Sequence, residues 1–205
     1  MFKIKPVALF TVLFALFTPQ NALAEAKTAI FAGGCFWCME KPFEKIDGVS
    51  EVRSGFSGGH IENPTYKQVT RGDTGHYEVV EVVYDSDKVD YEKLLEVYWS
   101  NVDPLDPKGQ FCDKGSTYRT AVFYNDEDEF KLAMTSIKRA EKILKKDIVT
   151  ELLPAASFYP AEDYHQDFYK TNETKYKFYR WKCGRDARLD DLWGENARVG
   201  VPLFE

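Results

Sequence analysis

The chain has 205 residues, 44% of them hydrophobic, with 27 Lys and Arg against 33 Asp and Glu, for a net charge of −6. That length allows a substantial hydrophobic core, and the acidic balance argues against a general nucleic-acid-binding role. Its 4 cysteines are too sparse for a disulfide-stapled scaffold and include a single close pair, where a structural zinc site normally draws on two, so redox chemistry without a metal is the expectation.

At the start, Lys3 and Lys5 precede an apolar run from Val7 to Phe17, and Ala22-Leu23-Ala24 supplies a small-x-small cleavage pattern. Residues 1–24 therefore read as a signal peptide, with export to the periplasm or beyond. The apolar run is too short to span a bilayer as a helix, so no stable membrane association is expected after cleavage. No linker, repeat or low-complexity tract divides 25–205, which reads as one domain.

KTAIFA (27–32) predicts a buried strand ending at Gly33-Gly34. A helix follows with Phe36, Met39, Glu40, Phe43 and Ile46. Pro42 is comfortable only in a first turn, which leaves the start of that helix open by a turn. VSEVRSGF (49–56) predicts a second strand, and a polar loop covers 57–75. The run YEVVEVVYD (77–85) is the clearest strand, rich in β-branched and aromatic residues. Asp90 fits the cap of a helix with Tyr91, Leu94, Leu95, Tyr98 and Trp99 on one face. A second loop spans 101–118, RTAVFYN (119–125) is another strand, and an amphipathic helix runs from Asp126 to Lys146. Its basic run Lys138, Arg139, Lys142, Lys145 and Lys146 reads as a solvated face. The order predicts an α+β fold, a two-layer sandwich with a split β-α-β (ferredoxin-like) core. After about residue 150 the chain reads as a long, partly irregular C-terminal segment with short helices, wrapping the core.

The chemistry concentrates in GGCFWCME (33–40). Cys35 follows two glycines at a strand-to-helix junction, where a helix N-terminus favours thiolate. Of the two rings beside it, Phe36 and Trp37, at least one should border whatever approaches the sulfur. An aromatic wall beside a thiol suits a small apolar group such as a methyl on sulfur. In 77–85, alternation puts Glu78, Val80, Val82 and Tyr84 on one face; a half-dry Glu78 would have its pKa raised by desolvation and stay protonated near neutrality.

GCFWCME resembles the signature of the A-type peptide methionine sulfoxide reductases. NPTYKQV (63–69), GHYEVVEVVYD (75–85), DKGSTYRTAVFY (113–124) and AEDYHQDFY (161–169) resemble further segments of that family in the same order. The resemblance implies that Cys35 attacks the sulfoxide sulfur and that Phe36 and Trp37 hold the substrate's methyl group. It implies that Glu78 protonates the departing oxygen, that Tyr66 and Tyr118 hold that oxygen, and that Asp113 is a polar partner. The substrate would be methionine-S-sulfoxide, free or in oxidised proteins, and the product methionine. A Cys35 sulfenic acid would condense with a second thiol and be reset by an external thioredoxin-like dithiol, with no cofactor. The resolving cysteine stays open among Cys183, Cys38 and Cys112, taken in that order, and a Cys112–Cys183 relay or bridge is a further possibility. His165, His60 and His76 read as structural, and the protein is expected to be monomeric. The rival readings are an exported thioredoxin-like thiol–disulfide oxidoreductase using Cys35-x-x-Cys38, and a binding domain with two disulfides.

Overall fold

The structure, a computed structural model, describes residues 26–199, so the expected signal segment lies outside the described residues. Strand β1 (Ala26–Gly33) leads through Gly34 and Cys35 into helix α1 (Phe36–Glu44), and β2 (Val49–Ser57) returns. A short helix α2 (Tyr66–Val69) precedes β3 (Tyr77–Asp85) and α3 (Tyr91–Trp99). Next come the small strands β4 (Gly109–Gln110) and β5 (Asp113–Lys114), then β6 (Thr120–Tyr124) and α4 (Glu127–Leu144). The last elements are β7 (Glu151–Pro154), β8 (Tyr159–Pro160), α5 (Phe168–Thr171), α6 (Glu173–Lys182) and α7 (Arg185–Trp193).

The main sheet is 6-stranded in the order β7-β6-β1-β3-β2-β8. Every pairing is antiparallel except β6 with β7. Strands β1 and β2, joined by α1, are held apart by β3, so the β-α-β unit is split as expected. The reason lies in β3, whose two faces are both apolar. Val80, Val82 and Tyr84 pack with Phe31, Phe43, Leu94 and Leu95 on the helix side. Tyr77 and Val79 join Ala32, Ala121 and Phe123 on the other. Phe31 stacks on Phe43 at 5.0 Å and on Tyr98 at 5.3 Å. Each such fully buried side chain contributes about 1.5–3 kcal/mol.

The helix ends follow local chemistry. Asp90 Oδ1 accepts from the Lys93 amide at 2.7 Å, and Asp126 Oδ1 accepts from the Asp128 and Glu129 amides at 2.9 Å. Pro42 departs from expectation, since it lies inside α1 rather than in its first turn. The helix ends two residues later, so the proline removes one hydrogen bond near a terminus, while buried Phe36, Met39 and Phe43 fix the start. The C-terminal segment is also more regular than expected. It adds a strand to each edge of the sheet and then forms α6 and α7, of 10 and 9 residues.

Candidate active site

Gly34 has a left-handed φ of +78°, and a Cβ there would lie 2.5 Å from Gln110 Cβ. The turn it permits sets Cys35 at the N-cap of α1, 6% exposed. Directly opposite, Glu78 on β3 accepts from the Phe36 amide through Oε2 at 3.1 Å. The carboxyl group, rather than the sulfur, therefore occupies the free N–H at the helix end, and Cys35 makes no side-chain cap bond.

That arrangement sets the ionisation of the site. Glu78 is 1% exposed, and burial pushes its pKa up to about 8, with the Phe36 amide and the Tyr118 hydroxyl opposing the rise. The carboxyl group is thus mostly protonated at neutral pH. Cys35 is pushed well above the ordinary thiol value by burial, by donating a hydrogen bond to Cys38, and by the nearby charges of Cys38, Glu78 and Asp113. Cys38 is lowered to about 6, chiefly because it accepts that bond from Cys35, with further help from Arg185 and Arg180. Burial of Cys35 thus opposes the thiolate that the helix N-terminus was expected to favour, and Cys38, which accepts its hydrogen bond and lies near Arg185 and Arg180, is the more acidic of the two thiols.

Around this pair stand the other residues singled out in the sequence. The Tyr118 hydroxyl lies within hydrogen-bonding reach of Glu78 and of the Tyr66 hydroxyl. Burial raises both phenols, Tyr66 to about 12, so both remain protonated donors. Asp113 on β5 is held by the Tyr179 hydroxyl. Phe36 is 1% exposed and packs against Phe56, Tyr66 and His165, forming the back wall. Trp37 is half-buried, stacked on Phe168 with centroids 3.8 Å apart, and its indole donates to His165 Nδ1 at 3.1 Å. Glu81, on the opposite face of β3, pairs with Arg53 away from the site.

The remaining cysteines lie beside the pair, Cys183 lining the same small cavity as Cys38 and Asp113. Cys112 and Cys183 form a disulfide with Cα atoms 5.0 Å apart, while Cys35 and Cys38 are free. Cys183, taken first among the resolving candidates, is in this state committed to Cys112, and the thiol beside Cys35 is Cys38. Several neighbours carried no signal in the sequence. Tyr176, Tyr179 and Arg180 of α6 and Arg185 of α7 close over Cys38. His165, read as purely structural, anchors the Trp37 indole. WKCGRD hinted only that some of these sit next to Cys183. Among the described residues no cluster of three or more His, Cys, Asp or Glu is arranged to hold a metal ion.

A buried dithiol facing a protonated carboxyl group, beside a cluster of packed aromatic rings, defines a thiol-dependent reductase centre of the kind that removes oxygen from sulfur. The family model for peptide methionine sulfoxide reductase matches residues 27–197. The chain is 53% identical over 169 residues to the peptide methionine sulfoxide reductase MsrA of Halalkalibacterium halodurans, covering 82% of this chain and 96% of that protein. Among solved structures, reduced Mxr1 of Saccharomyces cerevisiae superposes with a TM-score of 0.70 at 28% identity, covering 73% of this chain and 87% of that one. Methionine sulfoxide reductase A of Corynebacterium diphtheriae gives a TM-score of 0.66 at 30% identity, over 74% and 77% of the two chains. The chain belongs to the peptide methionine sulfoxide reductase family, A type, which displaces both the thioredoxin-like and the binding-domain readings.

Proposed function

We propose that this protein reduces methionine-S-sulfoxide, free or within oxidised polypeptides, to methionine, with Cys35 as nucleophile and Glu78 as general acid. What supports the assignment above all is the convergence of the two groups on one point, through the Glu78 bond to the amide that follows Cys35. The substrate's methyl group would lie against Phe36 and Trp37, its oxygen toward Glu78, Tyr66 and Tyr118. As the Cys35 sulfur attacks, its proton passes to Cys38, already the acceptor of its hydrogen bond, and Glu78 gives a proton to the oxygen. One thiol and one sulfoxide become one sulfenic acid and one thioether.

Cys38 then resolves the sulfenic acid, a reading supported by its contact with Cys35 and by the commitment of Cys183 to Cys112. An external thioredoxin-like dithiol returns the Cys35–Cys38 disulfide to thiols. The basic and apolar N-terminal run of the sequence supports export to the periplasm. The test is turnover of the separate sulfoxide epimers with a dithiol reductant. Activity confined to the S epimer and lost in Cys35→Ser is expected; comparable activity on the R epimer would overturn the assignment.

A further inference from the structure

The largest fully buried side chain described is a charged one, Arg185 at the start of α7, 2% exposed. Its guanidinium donates to the carbonyl oxygens of Asn101 at 2.7 Å and Gly33 at 3.2 Å and to Met39 Sδ at 3.2 Å, all neutral acceptors. It also lies 4.3 Å from the Phe111 ring centroid, and its Nε has no partner. Among the described residues no carboxylate pairs with it, whereas neighbouring Arg180 is bound by Asp186 at 2.6 Å. An arginine cannot shed its proton, and an unanswered charge in the interior is very costly. The side chain that shares its small cavity and can become an anion is the Cys38 thiol; Asp113, also lining it, is held by Tyr179.

We propose that Arg185 is a positioning residue of the resolving step: its buried guanidinium keeps the negative charge on the Cys38 sulfur, so that Cys38 attacks a Cys35 sulfenic acid as a thiolate. The step forms the S–S bond and breaks the Cys35 S–O bond. Cys38 gives up the proton it took from Cys35 to become the attacking thiolate, Cys38 is oxidised and the Cys35 sulfur reduced, and the departing hydroxide takes up that proton to leave as water. The inference rests on Cys38 being the resolving thiol. The other groups facing Cys38 do not replace Arg185. Glu78 and Asp113 oppose a second negative charge, Tyr176 and Tyr179 are neutral phenols held above their ordinary values, and Arg180, paired with Asp186, favours the Cys38 anion less than Arg185 does. The Cys35 thiol hydrogen bond also favours the anion, but oxidation of Cys35 removes that S–H donor, whereas the Arg185 charge stays in place when the resolving thiolate is needed.

The experiment combines a titration with a single turnover. In Cys35→Ser protein with the Cys112–Cys183 bridge intact, thiolate absorbance reports Cys38 alone. The midpoint should lie below the ordinary thiol value of about 8.5 with Arg185 or Arg185→Lys, and rise at least one unit in Arg185→Met. Once the midpoint lies above the working pH, each further unit of rise removes about tenfold of thiolate but returns about threefold of nucleophilicity. On the Cys35 background, Arg185→Met should therefore release one methionine per chain, then form the disulfide at least about threefold more slowly than the parent at a pH at least one unit below the parent's own titration midpoint. That deficit should vanish by pH 10, and Arg185→Lys should restore the rate. An unmoved midpoint, or a deficit equal at every pH, would overturn the inference. Should Arg185→Met fail to fold, an ordinary midpoint for Cys38 in the Arg185-containing protein overturns it too, and a low one that Arg185→Lys preserves supports it. Failure of the reductase reading looks different, because no methionine would then appear in the wild type. A disulfide from Cys35 to Cys183 would instead refute the role of Cys38.

Discussion

At the scale of single residues, the site is governed by which group occupies the free amide at the start of α1. The Glu78 carboxyl group occupies it, and burial keeps that group protonated up to about pH 8. The acid form of Glu78 is the proton donor and the Cys38 thiolate accepts the Cys35 proton, so methionine release in a single turnover should be fastest between about pH 6 and about pH 8, falling below that range as Cys38 is protonated and above it as Glu78 ionises. Glu78→Gln cannot give a proton and should slow release by about 100-fold or more, most visibly at neutral and higher pH; an unchanged rate across the pH range would remove Glu78 from the mechanism. The face carrying Glu78 was legible from alternation in YEVVEVVYD, because a strand buried on both sides must account for every carboxylate. The ionisation of the dithiol was not legible. It depends on Arg180 and Arg185, which lie far along the chain and reach Cys38 only through the packing of α6 and α7.

At the scale of elements, the turn between β1 and α1 carries the most constraint. Gly34 combines positive φ with backbone packed against Gln110, whose amide is itself fixed by bonds to Asp103 and Gly109. Gly34→Ala should lower stability by at least about 2 kcal/mol in urea unfolding and displace the Cys35 thiol from its partners; a variant of native stability would show that the turn is slack. The glycine pair announced this turn in the sequence, and the caps Asp90 and Asp126 announced two helices. Helix α2 was missed because four residues carry too little periodicity, although its Thr65–Gln68 capping box is present. Helices α6 and α7 were underestimated for a different reason. Buried Arg180 and Arg185 lie where an amphipathic pattern would show apolar residues.

Across the whole molecule, the Cys112–Cys183 bridge ties the site loop to the C-terminal segment over a separation of 71 residues. Closing a loop of that size is worth about 4 kcal/mol in chain entropy. The double change Cys112→Ser and Cys183→Ser should lower stability by up to that amount while retaining repeated turnover with a dithiol; turnover arrested after one methionine would place the bridge in the catalytic cycle. The split sheet and the family were legible from the order of strands and motifs, but the pairing of four cysteines was not, since spacing alone leaves the choice open. The account is tested most directly by one turnover of methionine-S-sulfoxide without reductant, on protein whose Cys112–Cys183 bridge is intact, followed by thiol blocking and peptide mapping. It predicts one methionine per chain and a new Cys35–Cys38 disulfide with the bridge unchanged. Absence of methionine, or a sulfenic acid persisting beside a Cys38 that still alkylates, would contradict it.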